Sequence, residues 1–346
     1  MPARTVGRQA ETAALTTAPT MGDVAGRAGV SRATVSRAFS RPERLRPETV
    51  ERVKQAAIEL GYVLNPAAKA LSTGRFGNLA LVVPDIANPF FPPMIRAMEG
   101  FADDAGFSVF LGNADEDPAR EHKLLGQLAK QVDGVVLASS RMSEDMIREH
   151  AGRRPMVLVN RDVAGLARVL IDSAGGVAQA VEHLAGLGHR HIAYLNGPVR
   201  SWSNTQRRRA VQRAAERLGL SVSLVAARLA SYEAGRRAVP ALLESGANAV
   251  VAFDDLLAHG ALTGLAERGI AVPSGFSVIG CDDVLAAQTH PQLTTVSARA
   301  AEAGRAAVEL LTARLASTVP MSDVRLMLET SLVVRSSTGP APDSGH

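Results

Sequence analysis

Cysteine is nearly absent, with one residue, Cys281, in 346. A single thiol can build neither a disulfide framework nor a cysteine-rich zinc site. Aromatic residues make up only 4%, with one tryptophan. No apolar run approaches the ~18 residues that a membrane span requires. The N-terminal stretch MPARTVGRQAETAALTTAPT lacks the continuous apolar core of a secretory signal. The chain is therefore expected to be soluble and cytoplasmic, without membrane contact. Enzyme signatures are missing too. After the first apolar run comes Pro84-Asp85-Ile86-Ala87-Asn88-Pro89-Phe90-Phe91, which is neither a dinucleotide fingerprint nor a phosphate loop. No G-x-S-x-G elbow and no H-E-x-x-H occurs. No catalytic residue, cofactor or metal is expected. The cluster His183, His189 and His191 has no cysteine partner nearby, and a role at the C-terminal end of a helix suits it better than metal ligation.

Hydrophobic residues, at 46%, suffice for proper cores, and the length suggests two or three globular units. The charge is unevenly spread. Residues 1–75 hold 12 Lys/Arg against 6 Asp/Glu, a net of +6, whereas residues 76–346 hold 26 against 28, a net of −2. A small basic module on a larger near-neutral one suggests that the small one meets a polyanion.

Residues 1–19 have little periodicity and read as a flexible tail. Residues 20–64 are helical in pattern. Thr20 with Asp23 forms an imperfect capping box, and Gly29-Val30-Ser31 breaks the first helix, leaving Ser31 to cap the next at about 32–39. A third helix opens at Pro47, shows Val50, Val53, Ala57 and Leu60 on one face, and stops at Gly61. Ala25 is small where two helices would cross, Gly29 supplies the turn, and Val35 is apolar where the second helix packs back. That spacing is the pattern of a helix-turn-helix. Residues 65–75 form a short Ala-rich segment, too short to be helical in isolation. From about 77 to 335, apolar runs (Leu79–Val83, Val109–Leu111, Gly134–Leu137, Met156–Val159, Ile192–Leu195, Ala249–Phe253, Ser277–Ile279 and Ser331–Val334) alternate with amphipathic stretches. Strand–helix alternation predicts parallel sheets covered by helices, here two subdomains with a cleft beyond the carboxyl ends of their strands.

These segments, DVAGRAGVSRATVSRAFS followed by VERVKQAAIELGYVLNPAAKAL, resemble the lactose-repressor/galactose-repressor (LacI-type) family of bacterial regulators, over about 20–335. The resemblance implies that helix 32–39 lies in the major groove with Arg32, Ala33 and Arg37 at base-reading positions. The geometry agrees, because Arg37 lies one turn beyond Ala33 on the same face and arginine suits bidentate contact with guanine. Thr34 and Ser36 suit phosphate contacts or packing. Residues 65–73 match the family's hinge helix. By resemblance, Asn65, Ala68 and Leu71 face the minor groove, where Leu71 wedges a base step. Leu64 stands where the family usually has proline before Asn65.

The landmarks PDIANPFF (84–91), VEHLAGLGHRHIAYLNGP (181–198), AFDDLLAHG (252–260), VIGCDD (278–283) and HPQLTTV (290–296) resemble the family's periplasmic-binding-protein-like core. The resemblance places Phe90, Phe91, Asn160, Ser201, Trp202, Ser203, Arg207, Asp254 and Asp282 at the effector cleft. Carboxylates accept from vicinal hydroxyls, the arginine fork donates, and an aromatic face covers a sugar ring. A sugar or sugar derivative is the expected effector, with a purine as the alternative ligand. Asp255 and Asp283 read as helix caps. Cys281 and Ala298 depart from the family's usual aromatic and glutamine.

The expected organisation is an N-terminal all-α helix-turn-helix domain (20–64), a hinge (65–75) and an α/β core (76–335) of two doubly wound parallel-sheet subdomains, the first about 76–172 and 297–320, the second about 173–296 and 321–335. A loose tail (336–346) follows. The expected function is a sequence-specific, homodimeric transcription regulator, a repressor, that binds double-stranded operator DNA at the nucleoid under control of a small-molecule effector. An exported-type solute-binding protein and a sugar-modifying enzyme using Asp254 and Asp282 are the alternatives.

Overall fold

A computed structural model describes residues 18–63, 74–317 and 323–342. Asn65, Ala68 and Leu71 lie outside the described residues. The chain divides into two compact units, 1–76 and 77–346.

The described part of the first unit is three helices, α1 (Met21–Ala28), α2 (Arg32–Ser40) and α3 (Pro47–Leu60). Thr20 Oγ1 accepts from Asp23 N while the Asp23 carboxylate accepts from Thr20 N at 2.7 Å, so the capping box closes in both directions. Gly29 (φ 63°) ends α1 in the left-handed region, and Ser31 Oγ accepts from Thr34 N at 3.2 Å to start α2. Gly61 ends α3 in the same way as Gly29 ends α1. Val24, Ala25, Val35 and Val53 meet in the centre. Arg27 on α1 pairs with Glu59 on α3 at 2.6 Å.

The second unit contains two six-stranded sheets. The first part of the chain gives β1 (Asn78–Val83), α4 (Phe91–Asp104), β2 (Ser108–Asn113), α5 (Pro118–Leu128), β3 (Gly134–Ala138), α6 (Glu144–Ala151), β4 (Met156–Val159) and β5 (Ala167–Asp172). Then follow α7 (Ser173–Gly186), β6 (His191–Asn196), α8 (Trp202–Leu218), β7 (Ser221–Ala226), α9 (Tyr232–Glu244), β8 (Ala249–Ala252), α10 (Asp255–Ala266), β9 (Ser277–Asp282), β10 (Thr294–Ser297), α11 (Ala300–Ala316), β11 (Arg325–Glu329) and β12 (Leu332–Val333). The sheet orders are β11-β5-β4-β3-β1-β2 and β12-β10-β9-β8-β6-β7. All pairs are parallel except β10 with β12. Both sheets are doubly wound, and each reverses direction beside its first strand, β1 or β6, where such folds bind ligands.

Four strands do not stand out in the sequence as apolar runs, each for a physical reason. β7 and β11 are edge strands with mostly exposed residues. β10 buries Thr294 and Thr295 rather than hydrocarbon, and Thr295 Oγ1 donates to Asp255 Oδ1 at 2.6 Å. β5 carries the buried Arg168, which ion-pairs with Asp162 and Asp323.

The expected boundaries need two corrections. The sequence pattern assigns residues 325–329 to the second subdomain, but β11 pairs in parallel with β5 and extends the first sheet. The described part of the tail, 336–342, is not loose. Ser337 is fully buried, its Oγ donating to Val278 O at 2.6 Å and accepting from Thr294 N at 2.8 Å. Two of the three histidines, His183 and His189, take part in this stitching, His183 from the last turn of α7. His189 is fully buried between Asn248 Oδ1 (2.6 Å) and Ser277 Oγ (3.1 Å), His183 meets Thr338 Oγ1, and His191 meets Ser223 Oγ.

Helices α9 and α10 cross with almost no side chain between them. A Cβ at Gly260 would lie 1.9 Å from Tyr232 O, and one at Gly235 would lie 2.1 Å from Leu257 O. Backbone cannot yield as a flexible side chain does. Gly260→Ala is therefore expected to destabilise the second unit by about 3 kcal/mol, read as a lowered urea midpoint.

Candidate functional site

On α2 the buried residues are Val35 and Ala38. The helical period then turns Arg32, Ala33 and Arg37 outward together, and all three are exposed. Thr34 is half-buried and its Oγ1 sits 2.9 Å from the Oγ of the capping Ser31, so it is occupied in starting the helix. Ser36 is half-buried, and its carbonyl accepts from Ser40 Oγ. The Arg32 guanidinium folds back over α1, where a Cβ at Gly22 would meet it at 2.5 Å. An exposed face of two arginines and an alanine at the start of a well-capped helix suits entry into a DNA groove.

In the second unit, the loops at the carboxyl ends of the strands converge on a cleft. Its lining includes Phe90 and Phe91 after β1, Glu116 after β2, Ser139 and Arg141 after β3, and Asn160 after β4. Ser201, Ser203 and Arg207 come from the start of α8, Phe253 and Asp254 follow β8, and Asp282 ends β9. Four of these residues, Glu116, Ser139, Asn160 and Asp282, have positive φ (58°, 49°, 51° and 124°). Backbone held in that region is disfavoured for side chains other than glycine, and such residues gather where a loop must present a group to a ligand.

Arg207 organises one wall. Its Nη1 donates to Phe253 O and its Nη2 to Asp282 Oδ1 at 3.0 Å. The guanidinium carbon lies 4.9 Å from the centre of the Phe253 ring. Both partners of the ion pair are buried, with side chains 4% and 7% exposed. Arg207 Nε has no hydrogen-bond partner among the described residues. Asp254 caps α10 by accepting from Leu257 N at 2.9 Å, and Asn88 Nδ2 reaches it from the other subdomain at 3.2 Å. Burial pushes the Asp254 carboxyl up to about 6. Burial likewise raises Asp282 well above the carboxylate range, against the pull of Arg207.

The opposite wall has its own charged pair. Arg141 donates to both Glu116 oxygens, at 2.5 and 2.8 Å, and to Ser139 O at 2.6 Å. Its backbone N–H is held by the buried Glu121 at 2.9 Å. Phe90 and Phe91 meet edge to face, with ring centres 5.0 Å apart.

Of the expected cleft residues, the structure brings together Phe90, Phe91, Asn160, Ser201, Ser203, Arg207, Asp254 and Asp282. Two of these also serve the scaffold. Ser201 caps α8 by accepting from Asn204 N, and Asn160 Oδ1 accepts from Ile171 N. Trp202 is half-buried on the first turn of α8 and does not line the cleft, because its neighbours Ser201 and Ser203 take the inward positions. Asp255 and Asp283 are not caps. The Asp255 carboxylate accepts from Val284 N and Thr295, and Asp283 pairs with Arg335 at 2.6 Å. Asn88, Glu116, Ser139, Arg141 and Phe253 were missed. Their common signal is position within a few residues of a strand's carboxyl end, which requires the strand boundaries to be known. Cys281 and Ala298, the two departures, are buried and lie outside the cleft lining.

A model of bacterial regulatory proteins of the lacI family matches residues 20–65, and a periplasmic binding protein-like domain matches residues 181–338. The chain is 34% identical over 332 residues to the HTH-type transcriptional regulator DegA of Bacillus subtilis (strain 168), covering 93% of this chain and 98% of that protein. The chain belongs to the lacI family. It is a DNA-binding transcription regulator, not an enzyme. Among lacI-family structures, the lac repressor dimer bound to operator and the anti-inducer ONPF superimposes with a TM-score of 0.83 at 25% identity, over 93% of this chain and 100% of that one. The transcriptional regulator CelR in complex with cellobiose gives 0.69 at 32% identity, over 92% and 99%.

The raised Asp254 carboxyl has a measurable consequence. Its folded pKa, about 6, lies above the ordinary value of 3.8. Its contribution to stability is therefore full below the ordinary value and lost as pH rises through about 6. Asn can cap the same helix without ionising. Asp254→Asn should therefore gain melting temperature relative to the parent between pH 4 and pH 7, with little difference at pH 4.

Proposed function

We propose that this lacI-family regulator is a homodimeric repressor whose operator affinity is set by a sugar or sugar derivative bound in the cleft. The observation that carries the reading is the cleft itself. It offers planar donors from Arg207, acceptors from Asp254 and Asp282, and an aromatic wall from Phe90 and Phe91. That combination matches vicinal hydroxyls on one edge of a ring and its apolar face on the other. The cellobiose complex of CelR supports this ligand class, and the operator complex of the lac repressor supports the DNA role. β2 and β7 close corresponding ends of the two strand orders and expose Leu111 and Leu224, a pattern suited to a second copy. Such a protein works at the nucleoid, in the cytoplasm.

In this reading Arg32, Ala33 and Arg37 read bases in the major groove, with Thr34 and Ser36 beside the phosphates. Asn65, Ala68 and Leu71 serve the minor groove. Ligand closes the cleft, because residues from both sheets line it, and closure changes the separation of the two DNA-reading heads. A ligand acts only by binding the two arrangements with different affinity.

Two measurements test this. First, a duplex selected from a random pool by the purified protein should bind with a clear salt slope, and Arg37→Ala should weaken it by about tenfold to a hundredfold with altered base preference. Uniform loss across all sequences would remove Arg37 from base reading. Second, a sugar and nucleobase panel should contain a sugar that raises the melting temperature and shifts operator affinity. Arg207→Ala should abolish both effects while leaving operator binding without ligand within about twofold. A panel in which only nucleobases act would replace the sugar by a purine, and a ligand that binds without moving operator affinity would sink the coupling.

A further inference from the structure

Away from the cleft, the second unit carries a concentrated positive charge that the fold neutralises only at one end. From residue 76 onward acids slightly outnumber bases, 28 to 26. Yet Arg209, Arg213 and Arg217 recur every four residues along α8, which stacks them on one ridge. All three are exposed. Arg217 reaches Glu182 on α7 and closes one end of the row. Arg209 and Arg213 enter no ion pair or hydrogen bond among the described residues. Like charges four residues apart repel and weaken their helix, so an unneutralised row is not a stabilising device.

The ridge borders a groove between α7 and α8 with no carboxylate in its lining. Its sides are Ala174 and Ala178 on α7 and Ala210 and Ala214 on α8. Methyl side chains at four-residue spacing on both helices leave a channel into which the ridge of another helix can settle. A nucleic-acid backbone would meet the arginines but would leave that apolar floor uncovered. The chain's own first nineteen residues hold Arg4 and Arg8 against a single acid, Glu11, and cannot supply a complementary row.

We propose that this groove docks an acidic amphipathic helix of another protein. Small residues of the incoming helix would lie on the alanines, and carboxylates four residues apart would meet Arg209 and Arg213. Fork-shaped guanidinium groups favour paired contact with carboxylates, and steering by the row speeds encounter. The same helix, α8, begins at the cleft with Ser203 and Arg207, so the docking face and the ligand site share one rigid element.

The test uses the full chain and a fluorescein-labelled, lactam-stapled 18-residue helix of alanine with glutamate at every fourth position. Anisotropy should report binding that weakens with salt, and the double variant Arg209→Glu, Arg213→Glu should lower affinity by about tenfold or more. A second peptide with lysine in place of glutamate should bind that double variant and not the parent. A scrambled peptide of the same composition should bind the parent at least tenfold more weakly. The proposal fails if the acidic helix binds the parent and the double variant alike, if order in the peptide makes no difference, or if the lysine peptide shows no exchange of preference. It fails in favour of a nucleic-acid face if duplex lacking the operator binds the parent more tightly than the double variant and displaces the acidic helix.

Discussion

Arg207 and Asp282 form an ion pair that water scarcely reaches, and the cleft is arranged around it. Removing two charges from water is unfavourable unless hydrogen bonds and geometry compensate. Here the guanidinium is satisfied at one nitrogen by the Phe253 carbonyl, at another by Asp282, and is backed by the Phe253 ring. A third nitrogen, Nε, is left without a protein partner among the described residues. The pair is therefore held by atoms from α8, the end of β8 and the end of β9 at once. A shift of any of these elements would be felt by the other two.

This explains why backbone strain sits where it does. Glu116, Ser139, Asn160 and Asp282 all adopt positive φ at or just past strand ends, and all line the cleft. Parallel strands present only their carboxyl ends to this side. A side chain can be turned inward there by one left-handed residue, which the hydrogen bonds around it must then hold. Asn160 shows the arrangement in small compass, since its backbone N–H is bound to Val169 O and its side-chain oxygen to Ile171 N.

Much of this was legible in the sequence, but unevenly. The caps Thr20, Ser31 and Gly61 are local chemistry, so the helices of the first unit could be read almost residue by residue. Buried strands such as β1 and β3 declare themselves as apolar runs. The edge strands β7 and β11 do not, because much of each faces solvent, and β10 does not, because its interior threonines are satisfied by Asp255 and by the chain's own C-terminal segment. The cleft residues carried by family motifs were found. Arg141 and Glu116 were not, because their pairing spans two loops and nothing in either loop names the other. Asp255 and Trp202 were misassigned for a related reason. Neighbours along a helix start point in different directions, and which one faces the cleft depends on the turn of the first residue.

The path of the chain between the two sheets has a practical side. It passes from the first sheet to the second after β5, returns after β10, and leaves again between β11 and β12. Neither half of the second unit is a continuous stretch of polypeptide. A hybrid that exchanges one half with a relative's must be joined at all three crossings, and any gene fragment that stops short of Arg325 lacks the edge strand of the half that began first.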